Sequence, residues 1–184
     1  MGQALDQAEK LASSDDDKTE IYFMRGAMYE RMKKYEDSEA AFRQVLAVDP
    51  NHAETLNYLG YMLADRNIKL EEASQMIKKA LSIAPNSGAF LDSLGWVYYR
   101  QGKLSEAEGL LQRALDKGQD PTIHEHLGDV YFKEGKTNEA VAQWQASLKG
   151  FQNAAPSEAD PEEAAKVTKK LDDARVKLAQ EKKK

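Results

Sequence analysis

Leu94-Gly95-Trp96-Val97-Tyr98 is one of four versions of the same short phrase in this chain. The others are Arg25-Gly26-Ala27-Met28-Tyr29, Leu59-Gly60-Tyr61-Met62-Leu63 and Leu127-Gly128-Asp129-Val130-Tyr131. Their glycines fall 34, 35 and 33 residues apart. A period of that size means a stacked array of one supersecondary unit, so each residue has to be read by its place in the repeat. It also shifts the expected function from chemistry toward binding.

Around each glycine the apolar residues keep a helical period: Leu91, Leu94, Gly95 and Tyr98 share one face. These segments are the A helices. Twelve or thirteen residues after each glycine stands a small residue, Ser38, Ala73, Ala107 or Ala140, followed four later by Phe42, Ile77, Leu111 or Trp144. These mark the B helices. Close approach of two helices needs small side chains at the crossing, so the glycines and these small residues are the predicted touching points. Seven residues further on, Val45, Ala80, Ala114 and Ser147 are predicted to meet the next A helix in the same way.

Punctuation follows the same period. Asp49-Pro50-Asn51 and Ala84-Pro85-Asn86 end two B helices, because proline lacks a donor and disfavours helix in the residue before it. Lys117-Gly118 is predicted to end the third with a left-handed cap, and Asp120-Pro121 to open the next A helix. Gly102-Lys103 and Gly135-Lys136 make A-to-B turns; the stretch Asp65 to Lys69 makes a turn one residue longer, which accounts for the 35-residue spacing.

The bulk composition narrows the partners. With 31% charged residues and a net charge of -5, the chain has no basic footprint for nucleic acid. It contains no cysteine, which removes disulfides, thiolate zinc sites and cysteine nucleophiles and leaves the compartment open. No apolar run is long enough for membrane insertion, and the N-terminus lacks a signal-peptide pattern.

Helix pairs of about 34 residues carrying Leu-Gly-x-x-Tyr, then Ala, then an aromatic, then Pro resemble the tetratricopeptide repeat (TPR) family over residues 19–150. The resemblance implies an all-α fold, a right-handed α-solenoid of stacked antiparallel helix pairs. It places repeats at 19–52, 53–87, 88–120 and 121–150. Arg25, Ser38 and Gln119 depart from the pattern, standing for Leu, Ala and Pro. Residues 56–61 and 91–100 are also similar to the C-terminal repeats of large bacterial TPR proteins, some of them envelope adaptors. That similarity suggests a bacterial source and slightly favours the periplasmic side over the cytoplasm.

At the ends, residues 2–18 read as a half repeat. The segment Ala4 to Ala12 has B-helix texture, and Ala4 lies in phase with Ser38, so it is expected to be the orphan B helix of a longer array. Residues 151–160 are expected to be a linker and 161–181 an amphipathic helix. Asp160-Pro161-Glu162-Glu163 starts that helix with a cap, an N1 proline and dipole-matched acids, and Lys182-Lys183-Lys184 ends it favourably. Its apolar residues Ala164, Val167, Leu171, Ala174 and Leu178 mark either a coiled-coil seam or a helix lying on the last repeat. Barely two heptads favour the capping helix.

No motif for catalysis stands out. His124 and His126 lie two apart on a helix and point about 200° from each other, so they cannot share a metal. Acidic pairs such as Glu71-Glu72 sit near helix starts, where the dipole explains them. No cofactor and no metal site are expected.

The resemblance also implies which places of each A helix face the concave groove. Aromatic residues recur there: Phe23, Tyr58, Tyr61, Trp96, Tyr99 and Phe132. Asn57, Asp92, Arg100, Glu125, His126 and Asp129 stand among them. A concave aromatic surface is a binding site by default, and Asp92, Glu125 and Asp129 are expected to favour basic residues in a bound segment. The Lys, Arg and Asn set with which co-chaperone members of the family grip a terminal carboxylate is missing. The expected function is therefore a non-enzymatic scaffold or adaptor that holds a protein or peptide partner carrying aromatic or apolar and basic residues. The alternative is a self-assembly module, a homo-oligomer built on the N-terminal end or the C-terminal helix.

Overall fold

A computed structural model describes residues 2–154 and 160–181. The middle of the expected linker, 155–159, and the terminal lysines 182–184 lie outside the described residues. Two compact units divide the chain, Met1–Pro85 and Asn86–Lys184. Unit 1 holds α1 (Gly2–Leu11), α2 (Asp15–Arg31), α3 (Tyr35–Val48), α4 (Ala53–Asp65) and α5 (Leu70–Ile83). Unit 2 holds α6 (Gly88–Arg100), α7 (Leu104–Leu115), α8 (Pro121–Lys133), α9 (Thr137–Asn153) and α10 (Pro161–Glu181). No strand occurs among the described residues. Helices α2, α4, α6 and α8 are the A helices, and α3, α5, α7 and α9 are the B helices packed back on them.

The glycines work as spacers, but against larger neighbours than the sequence pattern predicts. A methyl group on Gly26 would lie 2.6 Å from the Phe42 ring, and one on Gly128 would lie 2.5 Å from Trp144. Gly60 and Gly95 meet Ile77 and Leu111 in the same manner. Each bulky B-helix side chain therefore drops into the notch that a glycine leaves, and burying it contributes roughly 1.5–3 kcal/mol. The small residues Ala73, Ala107 and Ala140 are fully buried beside these contacts. Ser38 is tolerated at that place because its hydroxyl donates to the Gly26 carbonyl at 2.9 Å.

Turn geometry repeats with the same ruler. Seven residues after each spacer glycine the backbone turns left-handed, at Lys33, Asn67, Gly102 and Gly135. Four residues separate α4 from α5, against three in the other A–B pairs, and the added residue Lys69 takes a second positive φ of 47°. Gly118 is not left-handed, contrary to the cap expected there. The chain leaves α7 through a right-handed Asp116, and Lys117 and Gly118 both donate backward to the Ala114 carbonyl.

Both ends differ from the sequence reading in detail. The first A helix starts at Asp15, ahead of the repeat boundary at 19, because Ser14 and Asp17 form a reciprocal capping box. Arg25 binds Glu9 and Asp6, each at 2.9 Å, which ties α1 to α2 and explains a charge where the repeat pattern has leucine. Helix α9 continues to Asn153, three residues into the expected linker. The Asp160 carboxylate caps α10 by accepting from the backbone of Glu162 and Glu163. Helix α10 then lies on α9: Val167, Leu171 and Ala174 form one buried cluster with Ala140 and Trp144.

Candidate partner-binding faces

In unit 1 the A helices bring together an aromatic group on α2 and α4. Phe23 meets Tyr58 edge to face, with centroids 5.5 Å apart, and reaches His52 at 5.6 Å and the core ring of Phe42 at 5.8 Å. Tyr58 remains 47% exposed, while Phe23, Asn57 and Tyr61 are half-buried. His52 serves as a helix cap. Its Nδ1 accepts from the Thr55 backbone at 3.2 Å, so the imidazole is engaged in holding the start of α4.

Beside Phe23 opens a cleft of about 490 Å³ whose walls include Asp15, Asp16, Glu20, Asp49 and Glu54. Lys18 lies 3.6 Å from Asp15 at the surface. Asp16 and Glu20 have no cation beside them among the described residues. The cleft therefore combines the apolar side chains of Phe23 and Val48 with several carboxylates, a combination suited to the long apolar stem and charged head of Lys or Arg.

Unit 2 treats its acidic residues in the opposite way. Asp92 on α6 and Glu125 and His126 on α8 are all buried, with exposures of 7%, 6% and 4%. The Asp92 carboxylate accepts at 2.8 Å from His126 Nδ1, which carries the proton because an ionised carboxylate can only accept. Burial works against the imidazolium, but Asp92, with Glu125 and Asp129 behind it, outweighs burial and holds the His126 pKa above its ordinary value. Trp96 stacks on that imidazole at 4.2 Å and on Tyr99 at 4.8 Å.

The remaining two carboxylates are closed by α10. Lys170 Nζ donates to Glu125 Oε1 and Asp129 Oδ2, both at 2.7 Å. Burial opposes the ammonium, yet the two carboxylates keep the Lys170 pKa raised. Asp129 also accepts from Trp144 Nε1 at 3.1 Å. A second cleft, of about 440 Å³, runs between Tyr99 and Phe132 on one side and Lys170 and Asp173 on the other. Lys133 covers the Tyr99 ring at 4.5 Å and Lys177 the Phe132 ring at 4.6 Å.

The twelve predicted contact residues therefore divide. Phe23, Asn57, Tyr58 and Tyr61 cluster on unit 1, and Tyr99, Arg100 and Phe132 keep half-exposed side chains on unit 2. Trp96, Asp92, Glu125 and His126 are packed inside unit 2, and Asp129 is occupied. The expectation that Asp92, Glu125 and Asp129 attract a basic partner is corrected: Asp92 is paired with His126, and Glu125 and Asp129 share the Lys170 ammonium. The sequence reading missed Lys170 and the acidic rim at Asp15 and Asp16. A signal for Lys170 existed, since it lies within the α10 seam between Val167 and Leu171. Among the described residues no group of three His, Asp or Glu side chains is placed to hold a metal ion, and no helix is long and apolar enough to cross a membrane.

Helix pairs spaced by glycine notches, with exposed rings on the A helices, define the class as a helical repeat protein. Models of the tetratricopeptide repeat match residues 19–52 and 93–166, and the chain belongs to that family. It is 37% identical over 107 residues to the TPR repeat-containing protein PA4667 of Pseudomonas aeruginosa, a match covering 58% of this chain and 18% of that protein. The chain thus spans about a fifth of that relative's length. Among solved structures, the Cut9–Hcn1 hetero-tetramer of the APC/C gives a TM-score of 0.83 at 18% identity, covering 96% of this chain and 34% of that one. TTC0263, a thermophilic TPR protein of Thermus thermophilus, gives 0.70 at 19% identity, covering 94% and 87%. At these identities the two structures bear on the fold alone.

Proposed function

We propose that the chain is a non-enzymatic interaction module that holds a segment of a protein partner against its A helices. Unit 1 is the principal contact, and the segment carries Lys or Arg next to an aromatic or apolar residue. The observation that supports this reading is the unit 1 cleft, where Phe23 lines the wall with the carboxylates of Asp16 and Glu20 and packs on its other side against the exposed Tyr58. Tyrosine and arginine-type anchors dominate binding energy in such sites, and an interface of this kind reaches about micromolar affinity, roughly -8 kcal/mol.

Panning a random peptide library against the immobilised chain tests the reading. Enriched peptides are expected to pair a basic with an aromatic residue, and the double variant Tyr58→Ala, Glu20→Lys is expected to bind them at least about tenfold more weakly. Unchanged binding by that variant would remove the unit 1 cleft as the site.

A further inference from the structure

We propose that the face of α8 and α9 beneath α10 is a second interaction surface, fitted to a basic amphipathic helix, and that α10 is its exchangeable occupant. Helix α10 sits against α9 where the A helix of a following pair would sit. Unlike α2, α4, α6 and α8, it has no glycine notch gripped by a bulky side chain of a succeeding B helix among the described residues. Over its 21 residues α10 buries only the apolar residues Val167, Leu171 and Ala174, whereas α6 buries Phe90, Leu91, Leu94, Trp96 and Val97 over 13 residues. Val176, two residues beyond, is 57% exposed. Elements with few buried contacts open at lower free energy than the core they cover.

Charge gives the seat its selectivity. Glu125 and Asp129 lie one turn apart on α8, and both bind the one ammonium that α10 supplies. Without a cation at that point, two nearly buried carboxylates would be left unpaired, which is costly. The seat therefore accepts a helix with apolar residues at the spacing of 167, 171 and 174 and a Lys or Arg just before the middle one. Lys170 and Asp173 also wall the cleft that faces Tyr99 and Phe132, so departure of α10 would uncover both rings together with Glu125 and Asp129. A partner helix of this pattern and α10 are alternatives at one place. The inference rests on the proposed function only in treating α8 as a partner-facing helix.

The test uses the full chain and a labelled peptide of residues 160–181, with amide hydrogen exchange on the unmodified protein. Amides of α10 are expected to exchange about ten- to a hundredfold faster than those of α8 and α9. The peptide is expected to bind the Lys170→Glu chain about tenfold more tightly than the unmodified chain, because the resident helix is now repelled by Glu125 and Asp129. A peptide carrying Lys170→Glu should bind neither. If α10 exchanges as slowly as α9, α10 is a fixed cap and the proposal is overturned; this holds even should Lys170→Glu unfold the chain. Absence of peptide capture by a variant that keeps its α8–α9 protection also overturns it. Capture with an inert unit 1 cleft would sink the proposed function alone, and an active cleft with a fixed α10 would sink this inference alone.

Discussion

Units 1 and 2 are built from the same helix pair, and certain acids on their A helices meet opposite surroundings. In unit 1, Asp16 and Glu20 rim an open cleft, while in unit 2, Asp92, Glu125 and Asp129 are closed by His126 and Lys170. Repeat position therefore specifies where a side chain points but not what meets it there. An acid on an A helix stays open to solvent at Asp16 and Glu20, and is engaged inside the fold where the next element brings a cation, as at Asp92, Glu125 and Asp129.

The largest expected effect separates the two units through their bulky B-helix residues. Phe42 and Trp144 fill equivalent glycine notches, and truncating either to Ala should cost about 3–5 kcal/mol. Only Trp144 also donates to Asp129 and supports α10. Trp144→Ala should therefore release the buried acids of unit 2 and strip exchange protection from α10, while Phe42→Ala leaves α10 protected. Equal loss of α10 protection in the two variants would break the comparison.

A smaller effect follows from the buried pair of Asp92 and His126. The folded pKa of His126 lies above its ordinary value of 6.5, so its stabilisation is complete below about pH 6.5 and is lost as pH rises through the folded value. Unfolding free energies from urea titrations measured upward from pH 6 should fall as pH rises through that value, and His126→Gln should flatten the slope. A slope that survives the substitution would assign the titration elsewhere.

Much of this architecture was legible in the sequence because it rests on local rules. The spacer glycines, the added residue in the α4–α5 turn and the Asp160 cap each depend on residues within one helix pair. The partner-facing residues were legible as places but not as states. Trp96 and Asp92 read as groove residues because the repeat puts them on the inner side, yet the next A helix supplies His126, which stacks on one and pairs with the other. Lys170 comes from beyond the repeats, where the 34-residue ruler no longer applies. The helix start at Ser14 follows from its capping box, a local feature that the 34-residue repeat phase does not encode.

The smallest stability effect is expected in the unit 1 cleft, and it bears most directly on function. Asp16 and Glu20 have no cation beside them among the described residues, so Asp16→Asn with Glu20→Gln breaks no ion pair, and the relief of mutual repulsion offsets the small loss of the Asp16 charge from the first turn of α2. Stability should stay within about 0.5 kcal/mol of the unmodified chain or rise slightly. Residues held for folding would not behave this way. If the double substitution leaves stability intact while binding of basic, aromatic peptides drops about tenfold, the acids of unit 1 are recognition groups. A loss near 2 kcal/mol would instead mean that they are engaged internally, as the acids of unit 2 are, and the contrast between the two units would disappear.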